Sequence, residues 1–312
     1  MSGKDQIIRE IFKPARRNFI RRKVVLKSRN DLLQVDLAQF DELARENDSF
    51  KYILVCINCF TKFLYCRKLK DKKASSTAKV MREILEESER QLKLPIKNCQ
   101  SDDGTEFKGE FYKLMKEKGI NFYHTYSDLK ASIVERAIKT LKNNLYKEMA
   151  KRGTYRYIDF LDETVDKYNN ETVHSTIQMT PKLAMLKRNE KKLLETVYNY
   201  ERKRVKTRFE AGDFVRISNK KFVFSRGFHP QFTPEIFKIA KVNNKYPPTY
   251  KLQDYEGKEI LGTFYEPEMT KVKDPSLYLV EKVLKTKGNR QLVKWLGFDD
   301  SHNSWIDKND FI

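Results

Sequence analysis

Between residues 32 and 151 the spacing of apolar residues switches in a fixed order, and that order constrains the fold more than any other feature of the chain. Segments 32–40, 51–58 and 63–69 are short apolar runs bounded by polar turns, which predicts three successive strands. Residues 74–92 then place Ala78, Met81, Ile84, Leu85 and Leu92 at helical spacing, and Leu94-Pro95 stops that helix. A strand over 96–100, a helix over 106–118 closed by Gly119, a strand over 120–124, a loop over 125–130 and a helix over 131–151 complete the series. Three antiparallel strands followed by alternating α/β units give a mixed sheet with helices on its faces, the first strand central and the fourth beside it.

That is the element order of a ribonuclease H-like domain, and it singles out three of the 43 acidic residues. Asp36 interrupts the apolar strand Leu32–Leu37, where an ionised carboxylate is costly unless a cation or donor meets it. Asp102 follows the fourth strand and precedes the turn signal Asp103-Gly104. Glu135 lies near the start of the long helix. The topology brings all three to one sheet edge. Convergent carboxylates repel and protonate unless a divalent ion holds them, and hard oxygen ligands select Mg²⁺ or Mn²⁺. Lys139 and Lys142 lie four and seven residues beyond Glu135, so the three share a helix face. On spacing alone that face reads as helix-stabilising Glu–Lys pairs.

Composition narrows the partner. The net charge of +20 points to a polyanion. The longest strongly apolar run, Tyr52 to Ile57, is too short to cross a bilayer, and no signal-peptide pattern follows the N-terminus, so no membrane role and an intracellular setting are expected. Cys56, Cys59, Cys66 and Cys99 fall in or beside strands and read as buried thiols, because Cys56-x-x-Cys59 has no second ligand pair. Residues 1–30 read as a basic arm, with eight Lys or Arg and no acid from Lys13 to Arg29. Such a run is a solvated face, a phosphate-binding segment or a nuclear localisation signal.

The residues also carry a family resemblance over nearly the whole chain. Gln34-Val35-Asp36-Leu37, Ser101-Asp102-Asp103-Gly104-Thr105-Glu106-Phe107 and Ala131-Ser132-Ile133-Val134-Glu135-Arg136 resemble the three acidic motifs of the DDE integrase core of retroviruses and integrase-bearing transposons. Tyr168-Asn169-Asn170, His174-Ser175 and Met179-Thr180-Pro181 are similar to the segment closing that core. Gly212–Ile217, Tyr250–Tyr255 and Gly262–Tyr265 resemble the C-terminal part of Polinton (Maverick) transposon integrases. Two departures stand out: only 32 residues separate Asp102 from Glu135, fewer than the family commonly has, and the basic arm stands where a zinc-binding His-His-Cys-Cys domain usually precedes the core.

The resulting organisation is a basic arm (1–30), a ribonuclease H-like catalytic core (31–190), a charged helical linker (191–207), a small β-barrel of Src-homology-3 type (208–273) and a chromodomain-like module (275–312). The barrel is read from short strands at 213–218, 221–225, 235–242, 249–254 and 259–265, with Arg216, Lys220, Lys221 and Arg226 as either DNA-backbone contacts or a solvated face. In the last module Tyr278–Leu284, Leu292–Phe298 and Asn303-Ser304-Trp305 resemble a chromodomain. The resemblance implies that Tyr278, Trp295 and Phe298 form a methyl-lysine cage working by cation–π attraction, with a methylated histone tail as partner. Packing of the same aromatics in a three-stranded core is the other reading, and the preferred one for Trp305.

By resemblance the chain is expected to be a polynucleotidyl transferase that processes DNA 3′ ends and joins them to target DNA. Asp36, Asp102 and Glu135 would then be catalytic and hold two Mg²⁺ or Mn²⁺ ions, Lys139 and Lys142 would bind DNA, and a homo-oligomer would assemble on DNA in the nucleus. A domesticated, catalytically silent DNA- or chromatin-binding protein is the alternative.

Overall fold

The computed structural model describes residues 3–16, 18–124, 132–200, 203–219 and 229–308, and divides into two units, Val24–Tyr200 and Met1–Lys23 with Glu201–Ile312. The first helix, α1 (Gly3–Ile11), belongs to the second unit.

The unit Val24–Tyr200 is built on β1 (Leu32–Gln39), β2 (Tyr52–Asn58), β3 (Leu64–Leu69), β4 (Asn98–Ser101) and β5 (Asn121–His124). Their spatial order is β3-β2-β1-β4-β5, antiparallel through the first three strands and parallel from β1 to β4 to β5. The expected central β1 with β4 beside it is therefore what the chain forms. Helices α2 (Ala74–Leu92), α3 (Glu110–Glu117), α4 (Ser132–Arg152), α5 (Leu161–Asn170), α6 (Pro181–Ala184) and α7 (Lys187–Thr196) complete the unit.

Strand alternation sorts the core into two layers. Leu33, Val35, Leu54 and Cys56 pack with Met81, Ile84 and Leu85 of α2 and with Phe111 and Leu114 of α3. Ala38, Ile53, Val55 and Ile57 face the opposite way, onto Val134, Ala137, Leu141 and Leu145, which recur at three- and four-residue spacing along α4. Each such side chain removed from water contributes about 1.5–3 kcal/mol, so α4 is seated by its apolar stripe. All four cysteines are buried free thiols, and burial pushes Cys59 up to about 12.

Two local features differ from expectation or refine it. Helix α3 begins at Glu110 rather than 106 because Gly109 takes a left-handed φ of +53° that interrupts the turn Thr105–Phe107. Helix α7, expected to lead into a linker, stays on the core: Leu193 is buried, and the Tyr198 hydroxyl donates to the Cys59 carbonyl at 3.3 Å. Asn169 covers the edge of the sheet, its amide accepting from Leu64 N at 2.9 Å and donating to Leu64 O at 2.8 Å. Thr180 accepts from Leu183 N and precedes Pro181 at the first helical position, an N-cap that starts α6.

In the other unit β6 (Phe214–Ile217), β7 (Phe237–Asn243), β8 (Thr249–Gln253), β9 (Phe264–Tyr265) and β10 (Met269–Lys271) form a five-stranded sheet in the order β10-β6-β7-β8-β9. The strand expected at 221–225, with Lys220, Lys221 and Arg226, lies outside the described residues. Three further strands, β11 (Val280–Lys287), β12 (Arg290–Trp295) and β13 (Ser304–Asp307), pair antiparallel as a separate sheet. Trp305, expected inside, is 39 % exposed because it stands on the outward positions of β13.

The segment read as an arm is largely structured. Ile7 and Ile11 of α1 pack against Leu279. Arg22 donates from Nε to Pro247 O at 2.9 Å and from Nη2 to Lys245 O at 2.7 Å, while Arg29 pairs with Glu190 at 3.3 Å. Arg216, offered above as a DNA-backbone contact or part of a solvated face, is neither: it is 1 % exposed and its guanidinium pairs with Glu10 of α1 at 3.1 Å.

Candidate active site

Parallel pairing of β1 with β4 runs Leu32↔Asn98, Leu33↔Cys99 and Gln34↔Gln100, so Asp36 lies two residues beyond the last pair on β1 and Asp102 just past the end of β4 at Ser101. By the alternation along each strand, Gln34, Asp36 and Gln100 belong to the face on which α4 lies.

A buried amide network holds the described start of α4. The Gln34 side chain donates to Gln100 Oε1 at 2.7 Å, and its oxygen accepts the N–H groups of Ile133 and Val134, each at 3.1 Å. Those two N–H groups belong to the first turn of α4 and have no partner within the helix. Glu135 is the next residue, and it is exposed at the head of the buried stripe. One carboxamide thus ties β1, β4 and the helix bearing Glu135 together.

Burial and neighbouring acids act together on Asp36. The Asp36 carboxyl is pushed up to about 6, first by burial and then by the charges of Asp102, Glu135 and Glu106, against the lowering effect of the Leu37 N–H that donates to its Oδ1 at 2.7 Å. Asp102 accepts from Gly104 N at 3.3 Å, and its carbonyl lies 2.7 Å from His124 Nδ1. Glu106, within the motif Ser101–Phe107, is a further acidic neighbour of Asp36 that spacing alone does not single out. Its carboxylate fills the space over Gly104, 2.7 Å from where a Cβ would stand, and its carbonyl accepts from Thr77 Oγ1 at 2.6 Å.

The donor set fits a hard divalent cation: carboxylate oxygens, one of them on a group that burial and three acidic neighbours force towards protonation. Among the described residues no three His, Cys, Asp or Glu side chains stand close enough together to hold an ion as placed. Lys142 follows on α4 with its Nζ 5.2 Å from the Phe40 ring centroid, and Lys139 is exposed. The expected loop 125–130 lies outside the described residues.

Gln34→Leu is expected to cost about 3 kcal/mol or more, because it strands Gln100 and two helix N–H groups at roughly 1–3 kcal/mol each. Gln34→Glu keeps an acceptor for both N–H groups and, at acid pH where its buried carboxyl is protonated and can donate to Gln100, should retain more of the stability than Gln34→Leu. Urea denaturation compares the two. A loss below 1 kcal/mol for Gln34→Leu would show that the network does not seat α4.

Known proteins agree with the geometry at the level of fold. No protein-family model matches the chain. The transposon-derived protein F54H12.3 of Caenorhabditis elegans is 31 % identical over 194 residues, covering 62 % of this chain and 64 % of that protein, just under two thirds of its length. A chain of the simian T-cell lymphotropic virus intasome, solved with the PP2A regulatory subunit B56 gamma, superposes with a TM-score of 0.60 at 15 % identity over 84 % of both chains. The HTLV-2 integrase catalytic core domain, solved with magnesium, gives a TM-score of 0.42 at 15 % identity over 50 % of this chain and 97 % of that one. The mixed five-stranded sheet with its helices has the ribonuclease H-like fold of integrase cores.

Among the described residues no helix is long and apolar enough to cross a membrane.

Proposed function

We propose that the chain is a transposon integrase that cuts and joins DNA by metal-dependent phosphoryl transfer, with Asp36, Asp102 and Glu135 as its catalytic carboxylates. The single observation behind this reading is that the Gln34 amide joins the strand of Asp36, the strand that Asp102 follows and the first turn of the helix carrying Glu135. The intasome likeness and the transposon-derived relative support it.

In this reading Asp36, Asp102 and Glu135 would hold two Mg²⁺ or Mn²⁺ ions, which when bound would supply activation of an attacking oxygen and charge stabilisation at the departing 3′-oxygen of a phosphodiester. The chain's own part would be positional: β1 would carry Asp36, the end of β4 would present Asp102 beside it, and the Gln34 amide would hold the first turn of the helix that carries Glu135. Lys139 and Lys142 grip the backbone of the bound end. The five-stranded sheet is read as a barrel of Src-homology-3 type and the last sheet as a chromodomain-like module with Tyr278, Trp295 and Phe298 as its methyl-lysine cage. A Polinton-type element, a homo-oligomer on DNA, nuclear location and a methylated histone tail as partner belong to the same reading.

A strand-transfer assay with the element's own terminal repeats tests it. Joined products support an integrase, cutting without joining leaves a simple nuclease, and binding without either points to a silent DNA-binding derivative. Replacing Lys139 and Lys142 together by Ala is expected to lower the slope of log K against log salt by roughly two units if both touch phosphate. The Phe40 contact does not remove Lys142 from this role, since a cation–π contact at an exposed site contributes only about 0.5–1 kcal/mol. An unchanged slope would assign the pair to helix stabilisation.

A further inference from the structure

The rings read as a cage are neighbours. Tyr278 lies 6.2 Å from Trp295 at an interplanar angle of 66° and 5.5 Å from Phe298 at 77°. Tyr278 is 36 % exposed and the other two are half-buried, so the group opens to solvent. Edge-to-face rings at a solvent-facing surface leave π faces for a cation to meet.

The aromatic surface does not end with this module. Tyr255 lies in the turn after β8, on the five-stranded sheet, and its ring is 6.0 Å from Phe298 and 5.0 Å from His302. His302 is in turn 5.3 Å from Phe298 and pairs with Asp299 at 2.9 Å. The Tyr255 turn is held firmly: Asp254 Oδ1 accepts from Glu256 N at 3.0 Å and from Lys258 N at 2.9 Å, and Gly257 supplies a φ of +83°. On the other side, Gly297 approaches the same sheet so closely that a Cβ would fall 2.5 Å from Pro234 Cγ, and its φ is +87°. The turn carrying Phe298 is therefore docked at two points. Packing does not account for Tyr255 itself, which remains 60 % exposed.

We propose that Tyr255 is a fourth wall of the aromatic site, so that a methylated ammonium group is read jointly by the five-stranded sheet and the three-stranded one. This rests on the cage reading of Tyr278, Trp295 and Phe298 and goes beyond it by assigning an affinity-determining residue outside the chromodomain-like segment. The Tyr255 hydroxyl is 3.3 Å from Glu256 Oε1, and Asp299 stands beside His302, which places carboxylates at the rim and suits a cationic ligand.

The test uses the full chain with Trp305→Phe, leaving Trp295 as the one indole reporter of the two tryptophans. Tetramethylammonium chloride is titrated against sodium chloride at matched ionic strength, followed by a trimethyl-lysine peptide and its unmethylated form. Saturable quenching by the methylated probes is expected, lost on Tyr278→Ala. Tyr255→Ala and Tyr255→Leu should each weaken binding about fivefold, whereas Tyr255→Phe stays within about twofold, because the π face and not the hydroxyl or the bulk meets the cation. Thermal melting of the Tyr255 variants should match that of the parent chain, as Tyr255 is exposed. Absence of saturable binding by the parent chain would reject the cage itself. Binding that Tyr278→Ala removes but Tyr255→Leu leaves intact would reject the fourth wall alone.

Discussion

Asp36→Asn is expected to abolish DNA joining while leaving DNA binding in place, and at the same time to stabilise the metal-free protein at neutral pH. Loss of activity should reach roughly three orders of magnitude or more, since removing even a single preorganised group that stabilises developing charge costs on the order of 10²–10³ in rate. Gel-based strand transfer in Mg²⁺ and in Mn²⁺ measures the first effect. Undiminished joining by the variant would remove Asp36 from the catalytic set.

The stability effect follows from the environment of the same carboxyl. Folded, Asp36 titrates near pH 6, pushed up chiefly by burial and then by Asp102, Glu135 and Glu106. An unfolded aspartate titrates at about 4. Folding therefore favours the protonated form, and the stability so gained is complete below about pH 4 and lost as pH rises through about 6. At pH 7 the parent protein carries the full cost of an ionised, half-buried carboxylate. Two pH units of displacement set an upper limit of about 3 kcal/mol on what Asn recovers. Melting temperature followed from pH 4 to 7 without metal should fall for the parent chain and stay flatter for Asp36→Asn. Adding MgCl₂ at pH 7 should raise the parent's melting temperature and leave the variant's nearly unmoved, because a ligand stabilises only the state that binds it. A parent chain insensitive to both pH and Mg²⁺ would contradict the metal-holding role.

How much of this was legible in the sequence depends on whether a signal was local. Asp36 is conspicuous because it breaks an apolar strand, and Glu135 because it heads the stripe Val134, Ala137, Leu141 and Leu145. The sheet order followed from three strands preceding the alternating units. Gln34 and Gln100 were not legible: a neutral amide in a strand looks like any half-exposed polar residue, and its partners lie 66 and 99 positions away. The start of α3 was misplaced because apolar spacing continues through Gly109, whose positive φ resets the backbone. Helix α1 was hidden inside a charged segment, where Ile7 and Ile11 form one short i, i+4 pair whose partner Leu279 is remote in sequence.

Arg216 was hidden for the same reason, and its burial leads to the second large effect. Glu10→Ala is expected to destabilise the unit formed by Met1–Lys23 and Glu201–Ile312 by about 3–5 kcal/mol, the usual cost of leaving one member of a buried ion pair without its partner. Arg216 has 1 % of its side chain exposed and Glu10 9 %, so neither water nor salt can take over the lost contact. The loss extends beyond the pair: Glu10 Oε1 also accepts the Lys273 N–H at 3.1 Å, and Ile11 O accepts from Gln231 N at 2.7 Å and Phe232 N at 3.0 Å, so α1 is stitched to the strands around β6 at several points. Replacing both partners, Glu10→Leu with Arg216→Met, should recover most of the loss, because well-packed apolar groups often substitute for a buried pair at little cost. Denaturant unfolding of the single and double variants measures the coupling directly. If Glu10→Ala costs less than 1 kcal/mol, the charge-rich N-terminal segment is dispensable for folding and regains its reading as a free basic arm. If the cost is as large as expected, removing residues 1–11 should unseat Leu279 along with Arg216, weakening the three-stranded sheet that carries Tyr278 and Trp295 as well as the five-stranded one.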